Sequence, residues 1–510
     1  MAGGSTAVPL HLAGPPAAAR LGAIAVAAGV GAALIGYLVV REPRFLHLGV
    51  SFDARTAAAL GLGLVASWLI VTLPGSGLEA LVAFVYLNLS QVLVRYHQLP
   101  SVLQLLVVPL FVGAWLRRRG EGLDLLTRPL TMSLGVYALV LVTSTLLAGD
   151  TALADTRVAE NLKSVAVYVL VALLARSVPL IRRGVWALLV CGGLLGAVVL
   201  VQVARGDFQT NYLGLARIKY AQIYGTVFEP RIAGPLGDPN FFAQTLLILV
   251  PLAFLLAAEE RRPLRRGAAL MAGALATAAT VLTYSRGGAV ALACVLALCL
   301  LATRLRLRHA ALCLAVLVAL AAIVPAGFAR RLETFAEFLP GQDEALRPDS
   351  SFEQRRLLTQ VAWDMFLDHP LLGVGAGNYT LHFDEYAQEV GSVSREYEGL
   401  GEIHYPHNLY LEIAAETGLV GLAAFTVVLL ACFSALRRAR AAARAAGDSG
   451  SVALSRGFDI AVVGFLLSSL FLHGHHPRYL WMLFGFAAAL EHACTRAPAL
   501  PPADRALRHG

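Results

Sequence analysis

About fourteen apolar stretches, each long enough to cross a bilayer, take up more than half of this chain. A crossing needs roughly 20 residues, and hydrocarbon offers the backbone no hydrogen-bond partners, so such stretches are expected as helices. The spans fall near 21–40, 57–73, 79–94, 101–116, 129–147, 158–176, 184–203, 241–258, 267–283, 287–302, 309–326, 408–434, 457–472 and 479–493. The remainder cannot cover several water-facing domains: 15% of the 510 residues are charged, against about 25% in soluble proteins. A soluble enzyme, a disordered chain and a nucleic-acid binder are excluded. The expected fold is all-α, a polytopic integral membrane protein of about 14 transmembrane helices with a helical loop domain outside the bilayer.

Arginine clusters set the expected orientation, because basic loops stay cytoplasmic. Arg117–Arg119, Arg182–Arg183, Arg261–Arg266, Arg304–Arg308 and Arg437–Arg440 all fall on one side, and both termini join them there. The other side receives the 204–240 loop, a tight turn at Ser285–Arg286 and the long segment 327–407. Three sections follow: an N-terminal bundle over 1–203, a core over 204–434 that includes loop 327–407, and C-terminal helices with a tail over 435–510. The first apolar run is of full spanning length, too long for a cleavable leader. The six cysteines lie mostly inside apolar runs without paired short spacing, which argues against a disulfide framework or a zinc site.

Segment 327–407 carries its own structure signals. Ser351 and Gln354 form a capping-box pattern, and Leu357, Leu358, Val361, Met365 and Phe366 then repeat at helical spacing up to Pro370. An amphipathic helix is expected there. Gly373–Asn378, GVGAGN, looks like a phosphate loop but follows no strand, so it is read as a turn closing that helix.

Charged residues near membrane depth are costly and point to function. In RIAGPLGDPNFFAQ, Asp238 and Pro239 read as N-cap and first turn of a helix. Arg231 is not explained by capping; beside a helix N-terminus it suits an anion, and a headgroup contact is the alternative. In TYSRGGAVAL, Arg286 sits in a link too short to leave the interface, which favours ligand binding. In HYPHNLYLEIAAETGLVGL, Pro406 and His407 open a helix whose Asn408, Glu412 and Glu416 share one face. His473, His475 and His476 read as a loop of pH-dependent charge rather than a metal site.

The strings RIAGPLGDPNFFA, TYSRGGAVAL, HPLLGVGAGNY and PHNLYLEIAAETGLVGL, in this order over roughly 231–422, resemble the bacterial O-antigen ligase and polymerase superfamily. The resemblance implies a fold like the all-helical lipid-linked-sugar transferases, in the bacterial inner membrane, with the site facing the periplasm. It implies transfer of a glycan from undecaprenyl pyrophosphate to an acceptor glycan or lipid, with a chain-length regulator and a flippase as further partners. Arg231 and Arg286 would contact the donor pyrophosphate and His407 would lie at the reacting centre, supported by Asn240, Asn408, Glu412 and an external arginine, Arg355 or Arg356. No carboxylate pair suited to a divalent ion is apparent, so a metal-independent, cofactor-free, inverting reaction is expected. Fourteen spans lean towards a polymerase over a ligase. A transporter of lipid-linked glycan and a non-catalytic scaffold are the other classes; charged sites gathered at one face, with no mirrored second half, speak against transport.

Overall fold

The computed structural model describes residues 76–97, 111, 124–125, 127–146, 151–224, 227–303, 350–390, 404–474 and 477–496. The N-terminal described helices are α1 (Ser76–Tyr86), α2 (Leu89–His97), α3 (Pro129–Leu146), α4 (Thr151–Leu174) and α5 (Val178–Arg205). A hairpin of β1 (Arg217–Tyr224) and β2 (Val227–Gly234) follows, then α6 (Pro239–Leu247), α7 (Leu249–Glu259), α8 (Pro263–Leu282) and α9 (Arg286–Thr303). Beyond these come α10 (Ser350–Asp368), α11 (Tyr379–Val390), α12 (Leu409–Ala445), α13 (Ser449–Ser468) and α14 (Arg478–Arg496).

Ten of the expected spans fall on described residues, and each coincides with a helix or a helix pair. Spans 21–40, 57–73, 101–116 and 309–326 lie outside them, Phe111 apart. The described residues do not reach the expected number. Among the described residues five helices are long and apolar enough to cross a membrane, six if the pair α1–α2, bent by 58°, counts as one span. Charge is one reason: α4 carries Asp155, Arg157, Glu160 and Lys163 within its length. The helical expectation has one addition, the antiparallel β1–β2 hairpin, which pairs Ile218 with Ile232 and Lys219 with Arg231.

The bundle is built around α14, whose Trp481, Phe484 and Phe486 are almost wholly buried where it packs on α4 and α12. At the arginine-rich end, burial of charge is compensated by pairing. Glu491 of α14 accepts from Arg438 at 2.5 Å and lies 3.3 Å from Arg128, while Arg440 pairs with Asp459. α12 runs through to Ala445, past the expected section boundary at 434.

α10 and α11 have a core of their own. Leu357, Leu358, Val361 and Met365 of α10 are buried against Tyr379, Phe383 and Tyr386 of α11, as the helical spacing predicts. α10 starts at Ser350, one residue before the expected cap. GVGAGN does more than close α10. α12 is broken at Gly418 (φ 62°, ψ −161°), and the break opens the hydrogen bonds that Leu419 and Val420 would give to Ala415 and Glu416. The loop after α10 takes both sets. Leu419 and Val420 donate to the carbonyls of Pro370 and Leu371 at 2.8 and 3.2 Å, while Val374 and Gly375 donate to those of Ala415 and Glu416 at 2.9 and 3.0 Å. The Ser144 hydroxyl adds a 3.1 Å bond to Glu416 O and receives the Ala376 N–H at 3.0 Å. The pair α10–α11 is thus stitched by backbone into α12.

Candidate functional site

Five chain segments meet at the end of the bundle opposite the Arg438–Glu491 pairs: the hairpin, the start of α6, the turn before α9, the loop before α12 and the loop after α13. Asp238 caps α6, accepting from the Asn240 and Phe241 N–H groups at 2.8 and 3.3 Å. Burial alone would raise its carboxyl, but Lys219 and the two N–H donors outweigh it and hold it below the usual carboxylate range. Lys219, opposite Arg231 in the hairpin, lies 3.5 Å from Asp238. Asp238→Ala is expected to cost about 1 kcal/mol of stability, and Asp238→Asn, which can still cap, less; thermal unfolding of the two variants checks this.

Arg231 crosses from β2 to the turn before α9. Its Nε donates to Thr283 O at 3.2 Å, and its Nη2 donates to Tyr284 O at 3.3 Å and to Asn240 Oδ1 at 3.2 Å. The turn itself is tight: Tyr284 has φ 52°, and the Ser285 hydroxyl accepts the Gly288 N–H at 3.2 Å, capping α9. Arg286 is therefore the first residue of α9, at the positive end of the helix dipole. Arg231 braces the carbonyls two and three residues before Arg286, so its guanidinium is tied to the backbone turn that carries Arg286.

His407 enters the same region from α12. It has φ 49° and directly precedes Asn408, whose side chain caps α12 through the Tyr410 and Leu411 N–H groups. The loop after α13 is laced to this start: Leu409 N donates to Ser469 O at 3.0 Å and Asn408 Nδ2 to Leu470 O at 3.3 Å. That loop carries His473, which stands edge-on to His407 (ring centres 5.0 Å), stacks on Tyr405 (4.3 Å) and meets Phe241 of α6 edge-on (5.1 Å). A Cβ on Gly287 would strike Phe471, so the start of α9 packs on this loop as well. The Arg231-braced turn and the imidazole are thereby joined through α6 and the 469–474 loop.

Asn408 and Glu412, the supporting residues expected beside His407, both bond to backbone. Asn408 is occupied with the cap, and the Glu412 carboxylate, wholly buried, accepts the Gly474 N–H. Both act on the backbone around His407, and the ring itself is set by His473. Nδ1 of His407 is buried with no hydrogen-bond partner among the described residues. Desolvation, the His473 ring and the Arg355 charge push its pKa down to about 3, with Asp238 opposing. The imidazole is neutral across the physiological range. Of the two external arginines, Arg355 is the one whose charge reaches His407, while Arg356 is exposed on α10. The nearness of Lys219, Arg355 and His473 to His407 is not legible in sequence, because it is produced by the hairpin, α10 and the loop after α13, far apart in the chain. The one hint was that Lys219 is one of only two lysines among 41 basic residues.

Long apolar helices with basic side chains gathered at one end are the architecture of a polytopic membrane protein. Residues 270–426 match the family model described as O-antigen ligase. This is the superfamily that the four strings resemble. Three of them lie inside the matched residues, and Arg231 with its hairpin precedes them. No curated protein matches the chain. The family is one of glycosyltransferase-like enzymes concerned with O-antigen polysaccharide.

Proposed function

We propose that this protein is a membrane glycosyltransferase that moves a glycan from undecaprenyl pyrophosphate to an acceptor hydroxyl at the periplasmic face of the bacterial inner membrane. The observation that carries the reading is the bracing of the Arg286 turn by Arg231 beside a neutral, buried His407. When the sugar C1–O bond breaks, negative charge grows on the departing pyrophosphate. Arg231 and Arg286, planar and permanently charged, hold that charge, and they do so more strongly as it develops. They supply the positive charge that other transferases take from a divalent ion, so the reaction proceeds without a metal. The acceptor hydroxyl attacks C1 from the opposite side and passes its proton to the His407 imidazole, giving inversion in a single displacement. Bound pyrophosphate offsets the cations around His407 and raises its proton affinity at the moment the proton arrives.

Polymerase and ligase share this chemistry and differ in the acceptor. The span number that leaned towards a polymerase is not reached among the described residues, so both acceptors stand: another lipid-linked repeat, or the core of lipid A. Reconstituted protein supplied with purified lipid-linked glycan tests the proposal. Longer glycan on the same lipid identifies a polymerase, glycan on core lipid a ligase, and unchanged glycan crossing the bilayer a transporter, which would overturn the reading.

Arg231→Lys gives a sharper result within the same assay. Lysine keeps the charge but loses the fork that bonds the turn and an anion together, so kcat/KM is expected to fall about ten-fold, or about 1.4 kcal/mol. An unchanged value would remove Arg231 from the donor site.

A further inference from the structure

We infer that the external pair α10–α11 dips into the bilayer leaflet on its own side, through the C-terminal end of α10 and the Leu371–Leu372 loop. The outward face of α10 changes character along its length. Arg356, Thr359 and Gln360 are exposed near its start, whereas Trp363 (48% exposed) and Leu367 stand outward at its end. Leu371, 65% exposed, and Leu372 extend the apolar surface beyond the helix. Scattered exposed leucines need no explanation, but a contiguous patch containing a tryptophan does.

The occupant follows from what the patch joins. The carbonyls of Pro370 and Leu371 accept from Leu419 and Val420, just past the break in α12. From Leu419 to Leu436 α12 is apolar apart from Thr426 and Ser434, and Arg437 and Arg438 end the run. Those 18 residues span about 27 Å at 1.5 Å per residue, close to the roughly 30 Å hydrocarbon core. Leu419 therefore marks the hydrocarbon boundary on this side. Leu419, Val420, Val427 and Leu430, all exposed, continue the patch along the helix as a lipid-facing stripe. Pro370 and Leu371 are tied by hydrogen bonds to its upper end, with Leu372 next in the chain, and Trp363 sits where interfacial tryptophans gather. Asp368 and His369, exposed between these residues, fall at headgroup level. The occupant is lipid.

The test uses full-length protein in vesicles of phosphatidylethanolamine and phosphatidylglycerol. The fluorescence difference between wild type and Trp363→Phe isolates Trp363 from the other four tryptophans. That signal is expected to be blue-shifted, to lose most of its intensity to lipid brominated near the glycerol end of the acyl chain, and to resist aqueous iodide. Gln360→Trp in the Trp363→Phe background should show the reverse, quenching by iodide. Should Trp363→Phe reduce abundance, Leu372→Cys carrying an environment-sensitive dye gives the same reading from the loop. A Trp363 signal quenched by iodide and untouched by lipid bromine would overturn the inference and leave the patch to a second protein or a second copy. None of these readings depends on glycan transfer, so they stand or fall apart from the proposed activity.

Discussion

His407→Ala protein, as abundant in the membrane as wild type, is expected to transfer glycan about 10²–10⁴ times more slowly, the range for losing a positioned general base. The ring makes aromatic contacts with His473 but holds up no helix, because Asn408 caps α12 through its own side chain. Binding of the lipid-linked donor should persist in the variant, since the arginines are untouched. The loss belongs in kcat. The pH dependence carries its own sign. An ordinary histidine titrates near 6.5, whereas His407 in the free protein lies at about 3. Log kcat/KM should therefore stay flat as pH falls through 6.5, while kcat, which reports the donor-bound protein, bends at higher pH. Stability responds as well. Below about 6.5 the unfolded chain binds a proton that the folded chain refuses, so wild-type stability falls as pH drops towards 5, and His407→Gln should lose less over the same window. Steady-state rates and thermal unfolding across that range check both. A full-rate His407→Ala protein would sink the assignment.

Gly418→Ala is expected to be the most damaging small substitution, detaching the external pair from α12 and lowering abundance and thermal stability together. At φ 62° and ψ −161° the backbone occupies a region that only glycine enters readily, at a cost of order 1–3 kcal/mol for any other residue. Space makes matters worse. A Cβ there would lie 2.3 Å from the Leu371 carbonyl carbon and oxygen, both backbone, which cannot swing away. The mirror position is as tight, for a Cβ on Gly373 (φ 68°) would lie 2.3 Å from Glu416 C. Relief by shifting the loop would break the four bonds between 370–375 and 415–420 and strand buried carbonyls and N–H groups. Gly447, also at positive φ but with open space around its Cβ direction, is the control: Gly447→Ala should be mild. Limited proteolysis between α10 and α12, with melting of the two variants, measures the difference. Equal behaviour at 418 and 447 would show that the seam is not what holds the external pair.

The amino-acid order by itself determined the class of this protein. Runs of Leu, Val and Ala as long as a bilayer is thick have one stable solution in hydrocarbon, so α3, α5, α12 and α13 could be read directly. Local chemistry was legible at one site: Asp238 ahead of Pro239 starts α6, because it acts on N–H groups within three residues of itself. Ser285 and Asn408 cap α9 and α12 in the same local way, although their sequence setting drew attention to the neighbouring charges instead. The candidate cations and the imidazole could be named for the same reason, since charge beside apolar sequence stands out without knowledge of its neighbours.

Tertiary structure alone decided what those residues touch. The hairpin that sets Lys219 opposite Arg231 depends on strand pairing rather than apolar periodicity, and its loop composition carries no such signal. The setting of His407 by His473 rather than Asn408 or Glu412 spans 66 residues of chain and is fixed by how the loop after α13 folds over the start of α12. The break at Gly418 shows the difference most plainly. A glycine within an apolar helix is common, and nothing local announces that the hydrogen bonds it opens will be closed by a loop some forty residues earlier. Backbone donors and acceptors are the same for every residue, so a partnership made through them leaves almost no trace in the side-chain alphabet.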